Sequence, residues 1–194
     1  MEQLTHVTGY SVEKKLGRGA FADVYLATKI ESGEAAALKV VEMHASGQGV
    51  ERLDQEFASQ KDAKSLYVVG CREMIKMEKC VVIVMDYADG GSLQDFVSAN
   101  PSFFAMHPNE FKRVAFQLLS GLETIHEKAL IHRDIKPANI LLKREGVSEF
   151  PYRTMLSDFG LAKQLGSVSK ATISIAGTEM YLAPEELGAE AVCT

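Results

Sequence analysis

His132-Arg133-Asp134-Ile135-Lys136-Pro137-Ala138-Asn139, followed downstream by Asp158-Phe159-Gly160, is the stretch on which the reading of this chain turns. It sets two acids, a lysine and an asparagine in a fixed order. Carboxylate and amide oxygens suit a hard divalent cation, a lysine suits an anion, and an acid can take the proton of an attacking hydroxyl. Any one of these residues could be an ordinary loop residue. Taken in order, with Lys39 upstream and Ala183-Pro184-Glu185 downstream, they form a pattern that coincidence does not produce.

The surrounding composition is that of a globular chain. Its 194 residues are 46% hydrophobic and 24% charged, enough to bury one or two cores. A formal net charge of -5 leaves no basic footprint for nucleic acid, so no polynucleotide partner is expected. Cys71, Cys80 and Cys193 fit neither a disulfide framework nor a zinc site, which favours a reducing, cytoplasmic setting. The first residues lack the blocks of a signal peptide, and the longest strongly apolar run, Val81 to Met85, is too short to span a bilayer. No membrane association is expected.

Residues 9 to 42 alternate apolar and polar positions, with turn signals at Gly17, Gly19 and Glu31-Ser32-Gly33-Glu34, and predict three antiparallel strands. Val50 to Leu66 suits a helix. Val68 to Met77 and Cys80 to Asp86 predict two further strands. Asp89-Gly90-Gly91 breaks the pattern, and Ser92 can cap a short helix ending near Asn100-Pro101. Asn109 to Lys128 is the strongest helix. Its apolar positions Phe111, Val114, Ala115, Leu118, Leu119, Leu122 and Ile125 must bury one face, and Asn109 is a candidate cap. Short apolar runs, Asn139 to Leu142 and Met155 to Ser157, flank a polar loop read as an inserted hairpin tip, Lys143 to Arg153.

Leu16-Gly17-Arg18-Gly19-Ala20-Phe21-Ala22-Asp23-Val24 is a glycine-bearing turn between predicted strands, where backbone N–H groups can approach phosphate oxygens. Leu16 and Val24 could form an apolar lid over a purine. A dinucleotide fold would need this turn to open a helix; it leads into a strand instead. On the next strand, Lys39 in Ala36-Ala37-Leu38-Lys39-Val40 needs a counter-charge if it is buried, and Glu51 and Glu56 are the candidates.

These segments together resemble the catalytic domain of Ser/Thr protein kinases, from about Tyr10 to Glu185. The resemblance implies an α+β, two-lobe fold: residues 10–88 as a small lobe with a five-stranded antiparallel sheet and one helix, and 89–194 as part of a mostly helical large lobe. It implies ATP and Mg2+ as cofactors and a protein Ser or Thr hydroxyl as acceptor. Asp134 would accept the hydroxyl proton, Lys136 would face the transferring phosphate, and Asn139 and Asp158 would hold metal. Lys39, paired with Glu56, would hold the nucleotide phosphates. Leu16, Gly17, Gly19, Val24, Ala37, Met85, Asp86, Ala88 and Leu141 would surround the nucleotide, with Met85 as gatekeeper. Ser174, and after it Thr172, would be regulatory phosphorylation sites read by Arg133.

The family's helices after Ala-Pro-Glu have no counterpart before Thr194, so the chain is expected to be a fragment of an active kinase. Leu118, Leu122 and Ile125 would then lack part of their cover. The alternative is a catalytically impaired nucleotide-binding module acting through protein–protein interaction. Oligomeric state is not indicated.

Overall fold

The computed structural model describes residues 6–18, 22–43, 54, 57–58, 61, 65–158, 163–164 and 179–181. They fall into two compact units, one from residues 1–62 and 69–87 and the other from 63–68 and 88–194.

The first unit is built on a sheet of six strands. These are β1 (His6–Val7), β2 (Tyr10–Arg18), β3 (Ala22–Lys29), β4 (Ala35–Glu42), β5 (Cys71–Lys76) and β6 (Cys80–Asp86), in the order β1-β2-β3-β4-β6-β5. All neighbours are antiparallel, which gives the five predicted strands plus the short β1. Val7 of β1 is fully buried, so this edge strand is held by packing as well as by pairing with Tyr10.

Strand β5 begins three residues later than the sequence predicts, and two local contacts explain this. Gly70 presses so closely on Asp86 that a Cβ there would lie 2.6 Å from Oδ2, while its N–H donates to that same oxygen. Val68 instead forms a parallel bridge with Leu156 in the second unit's own core.

Cross-strand partners share a face of a pleated sheet. One face of this sheet carries Tyr25, Ala27, Ala36, Leu38, Val82 and Val84, and with Val7 and Tyr10 these make the core of the unit. The phenol of Tyr10 donates to Glu73 Oε1 at 2.5 Å, joining β2 to the far strand β5. Burial and that carboxylate push its pKa up to about 12, so the phenol stays protonated. Asp54, Phe57, Ala58 and Lys61, within the predicted 50–66 helix, are helical, and Asp54 pairs with Lys76 of β5 at 2.8 Å.

The second unit contains α1 (Leu93–Ala99), α2 (Phe103–Met106) and α3 (Pro108–Glu127). It also holds β7 (Leu130–Ile131), a 3-10 turn at Pro137–Asn139, the hairpin β8 (Ile140–Arg144) with β9 (Tyr152–Leu156), and β10 (Lys163–Gln164) against β7. Ser92 caps α1 in a reciprocal box with Asp95, and Asn100 ends it, as the sequence predicts. Helix α3 starts one residue before the predicted cap. Pro108 occupies its first turn, where a missing N–H costs nothing, and His107 takes the cap position without a side-chain bond.

Helix α3 packs against β9 through Gly121, whose missing side chain admits the Tyr67 carbonyl; a Cβ would lie 2.8 Å from that oxygen. Gln117 Oε1 accepts from both the N–H and the hydroxyl of Thr154, each at 2.9 Å. Leu118, Leu122 and Ile125, expected to lack part of their cover, are packed in this unit. Ile125 is fully buried, and Leu118 and Leu122 pack against the core, whereas Phe111, Phe116 and Leu119 are about two-thirds exposed. The buried face is centred on Val114, Gln117, Gly121 and Ile125, a rotation that the small Gly121 and the polar Gln117 hide from any reading of apolar spacing.

The tip between β8 and β9 is packed, not loose. Phe150 is fully buried among the rings of Phe96, Phe103, Phe104 and Tyr152, and the Arg113 guanidinium donates to the carbonyls of Phe150 and Tyr152.

Candidate active-site residues

In the first unit, strand register gathers predicted nucleotide-side residues on one face. Val24 pairs with Lys39, and Lys39 with Ile83; one step of two along the strands, Leu26 pairs with Ala37 and Ala37 with Met85. Val24, Ala37, Lys39 and Met85 therefore lie together, opposite the face that forms the core. Lys39 is half-buried between two apolar partners. Gly17 pairs with Val24 at the end of the β2–β3 hairpin, beside the exposed Leu16. Asp86 spends its backbone N–H on Gly70 O and its carboxylate on Arg72 at 2.8 Å, so a nucleobase there would have to use another group. Gly19 and Glu56 lie outside the described residues.

In the second unit, Ala88 is half-buried beyond the end of β6, and Leu141 sits on β8 opposite Met155 and bridges to Ser92. The segment from His132 to Asn139 runs from β7 to the end of the 3-10 turn. Arg133 and Asp158 hold positive φ, 67° and 63°, a costly conformation for residues with a Cβ, and it persists only where the surroundings enforce it.

Between these two positions runs a set of hydrogen bonds. Asn139 Nδ2 donates to the backbone carbonyl of Asp134 at 2.8 Å and to its Oδ2 at 2.7 Å. Lys136 Nζ lies 2.8 Å from the same Oδ2. Asp134 is buried, and its other oxygen, Oδ1, has no hydrogen-bond partner among the described residues.

His132 ties this segment to the second motif. Its Nδ1 accepts the N–H of Asp134 at 3.3 Å, and its Nε2 donates to the carbonyl of Ser157 at 2.9 Å. That pair of bonds requires the neutral ring protonated on Nε2. Burial pulls the pKa of His132 below its ordinary value, against smaller opposing effects of the Ser157 carbonyl and nearby acids, so the neutral form is the one the fold selects. Ser157 in turn donates both its N–H and its hydroxyl to the carbonyl of Asn139. Asp158, next in the chain, is exposed.

With the Asn139 amide nitrogen engaged by Asp134, the side-chain oxygen is the group left to act as a donor. Among the described residues no group of three or more His, Cys, Asp or Glu could hold a cation by itself. One amide oxygen and one carboxylate suit an ion whose other ligands are phosphate oxygens and water, so Asn139 and Asp158 fit magnesium carried by a nucleotide.

Two contributors have no assigned role in the sequence reading, His132 and Ser157. The first is visible in the quoted motif, but only burial shows that it is a strut. The second is a plain serine before Asp158, and nothing in its spacing signals the double bond to Asn139. Thr172, Ser174, Phe159, Gly160 and Ala183-Pro184-Glu185 lie outside the described residues.

A family described as protein kinase domain matches residues 10–194. The chain is 32% identical over 186 residues to MAP3K epsilon protein kinase 2 of Arabidopsis thaliana, covering 95% of this chain and 13% of that protein. It is 34% identical over 184 residues to Serine/threonine-protein kinase cds1 of Schizosaccharomyces pombe, covering 92% and 38% respectively. A third relative, CBL-interacting serine/threonine-protein kinase 16 of Arabidopsis thaliana, is 32% identical, with 92% and 39% covered. The chain thus spans well under half the length of these relatives.

Proposed function

The chain belongs to the protein kinase family, and from that premise we propose that it transfers the γ-phosphoryl group of ATP to a serine or threonine hydroxyl of a protein. The observation that carries this reading is the divided use of the Asp134 carboxylate. Oδ2 is held by Lys136 and Asn139, while the buried Oδ1 has no donor among the described residues. A substrate hydroxyl is a donor of the right kind.

In the reaction, the substrate hydroxyl donates to Asp134, which orients its oxygen toward the γ-phosphorus. A bond forms from that oxygen to phosphorus, and the bond to the β–γ bridging oxygen breaks. ADP leaves with the electron pair, and the hydroxyl proton passes to Asp134. Lys136, held 2.8 Å from Asp134, sets a positive charge beside the transferring group. Lys39, on the face shared with Val24, Ala37 and Met85, is the residue for the nucleotide phosphates. Magnesium held by Asn139 and Asp158 would supply neutralisation of phosphate charge. Lys136 two positions after Asp134 supports Ser or Thr as the acceptor, as do the names of two of the relatives.

The test is labelled phosphate transfer from ATP to a Ser-rich protein, with Asp134→Asn as control. Transfer should fall by about 10²–10⁴-fold in the variant. Equal transfer by both proteins would overturn the assignment of Asp134. No transfer by folded wild type that still binds ATP would favour the nucleotide-binding module instead.

A further inference from the structure

Helix α3 has a second face, turned away from the one that packs on β9. Phe116 and Leu119 are about two-thirds exposed there, with the exposed Lys112 and Glu123 on either side of them along the helix. Steps of four, three and four residues keep Lys112, Phe116, Leu119 and Glu123 on one stripe. Phe111, in the adjoining row with Ala115 and Leu119, widens its apolar part, and its ring meets that of Phe104. Single exposed apolar residues need no explanation, but a contiguous group of them on a helix marks a contact surface.

The order of charges along the stripe says which partner fits. Lys112 stands four residues before Phe116, and Glu123 stands four residues after Leu119. The stripe is therefore symmetric in spacing about its midpoint and opposite in charge at its two ends. A second copy laid antiparallel, with a two-fold axis at that midpoint, sets Phe116 against the partner's Leu119 and Lys112 against the partner's Glu123. Both contacts occur twice. A parallel arrangement would set lysine on lysine and glutamate on glutamate. The charged ends lie about 16 Å apart along the helix, a span that two helices crossing at a shallow angle keep in contact.

The helix does not itself supply these pairings. Three and four residues from Lys112 stand Pro108, Asn109, Ala115 and Phe116, none of them acidic. Glu110, two residues away, is bound to Arg113 at 2.7 Å. Glu123 is followed by His126 and, one turn on, by Glu127, a like charge that a lysine from a second copy would offset.

We propose that this face of α3 is the contact of an antiparallel homodimer, with a second copy of the chain as its occupant. Three exposed apolar side chains and two charged stems per copy bury roughly 800 Å² in all, less than a stable dimer buries, so the association is weak and reversible. The apolar centre supplies the attraction, and the paired ends fix the direction.

The experiment is sedimentation velocity on the 194-residue chain from micromolar to millimolar concentration. The samples are wild type, Lys112→Glu, Glu123→Lys, the double exchange, an equimolar mixture of the two single variants, and Phe116→Ser. Wild type should pass from monomer to dimer as concentration rises. Each single charge variant sets two like-charge contacts in its own dimer and should raise Kd about tenfold. The double exchange rebuilds both pairs and should return Kd to within about threefold of wild type. In the mixture one copy carries glutamate at both ends and the other lysine, so a mixed dimer should form where neither variant associates alone. Phe116→Ser should raise Kd at least about tenfold, yet leave the thermal midpoint of the dilute protein within about 3 °C of wild type. Wild type that stays monomeric throughout overturns the proposal. So does association that the single variants leave unchanged, or that the double exchange and the mixture fail to restore, because the contact then has another place or another direction. A larger fall in the dilute Phe116→Ser midpoint, or its failure to fold, also overturns it, since the chain itself would then cover this face.

Discussion

The backbone carbonyl of Asn139 accepts two hydrogen bonds from Ser157, one from its N–H and one from its hydroxyl, both 2.9 Å. Through this junction the residue that supports the Asp134 carboxylate is tied to the residue before Asp158. Replacing Ser157 with Ala removes the hydroxyl bond and leaves the N–H bond. We expect a loss of about 1 kcal/mol in urea unfolding, with a fall in the phosphoryl-transfer kcat. An unchanged midpoint and rate would show that the backbone bond alone holds the junction.

His132 gives the protein an acid-sensitive strut. Its folded-state pKa lies below the ordinary 6.5, so below that pH the unfolded chain binds a proton that the folded chain refuses. The stability it contributes is complete above pH 6.5 and is lost progressively as pH falls from there through the lowered folded value. His132→Gln can donate to Ser157 O and accept from Asp134 N–H without titrating. Thermal midpoints measured between pH 7.5 and about 5 should therefore fall less steeply for this variant than for wild type. Parallel curves would remove His132 as the source.

Gly121 opposes two effects of known size. Alanine improves helix propensity by up to about 1 kcal/mol, but its Cβ would sit 2.8 Å from the Tyr67 carbonyl and 3.1 Å from Leu156 Cδ1. Overpacking against backbone costs roughly 1–3 kcal/mol, so Gly121→Ala should lower the thermal midpoint. A rise would mean that α3 and the 65–68 segment separate at little cost.

Phe150 anchors the β8–β9 tip among four rings. Phe150→Ala should destabilise the protein by about 3–5 kcal/mol, as for buried aromatic truncations generally. Val147→Ala, at the fully exposed tip, should change stability by less than about 0.5 kcal/mol. Denaturant unfolding of the two variants side by side checks both.

Much of the fold was legible because it is written in local patterns. Alternation across β2, β3 and β4 and the continuous apolar run of β6 mark strands, Ser92 with Asp95 marks the start of α1, and the ordered acids, lysine and asparagine mark the segment from His132 to Asn139. That Asp134, Lys136 and Asn139 lie together was readable for the same reason: they belong to one short segment, so their spacing is nearly their geometry.

Contacts between distant segments were not legible. The apolar spacing of α3 suggested a buried face that includes Phe111 and Leu119, but Gly121 and Gln117 turn the helix toward Tyr67 and Thr154. The tip at 143–153 read as a neutral insertion because a lone Phe150 gives no periodic signal, though it completes an aromatic cluster drawn from α1 and α2. The amino-acid sequence by itself determined which chemical groups the protein carries and in what order, since propensity and motif spacing act over a few residues. Only the tertiary structure decided which of Asp134's oxygens has no donor among the described residues, and that Ser157 braces Asn139, because those depend on which distant backbone and side-chain groups are brought within hydrogen-bond range.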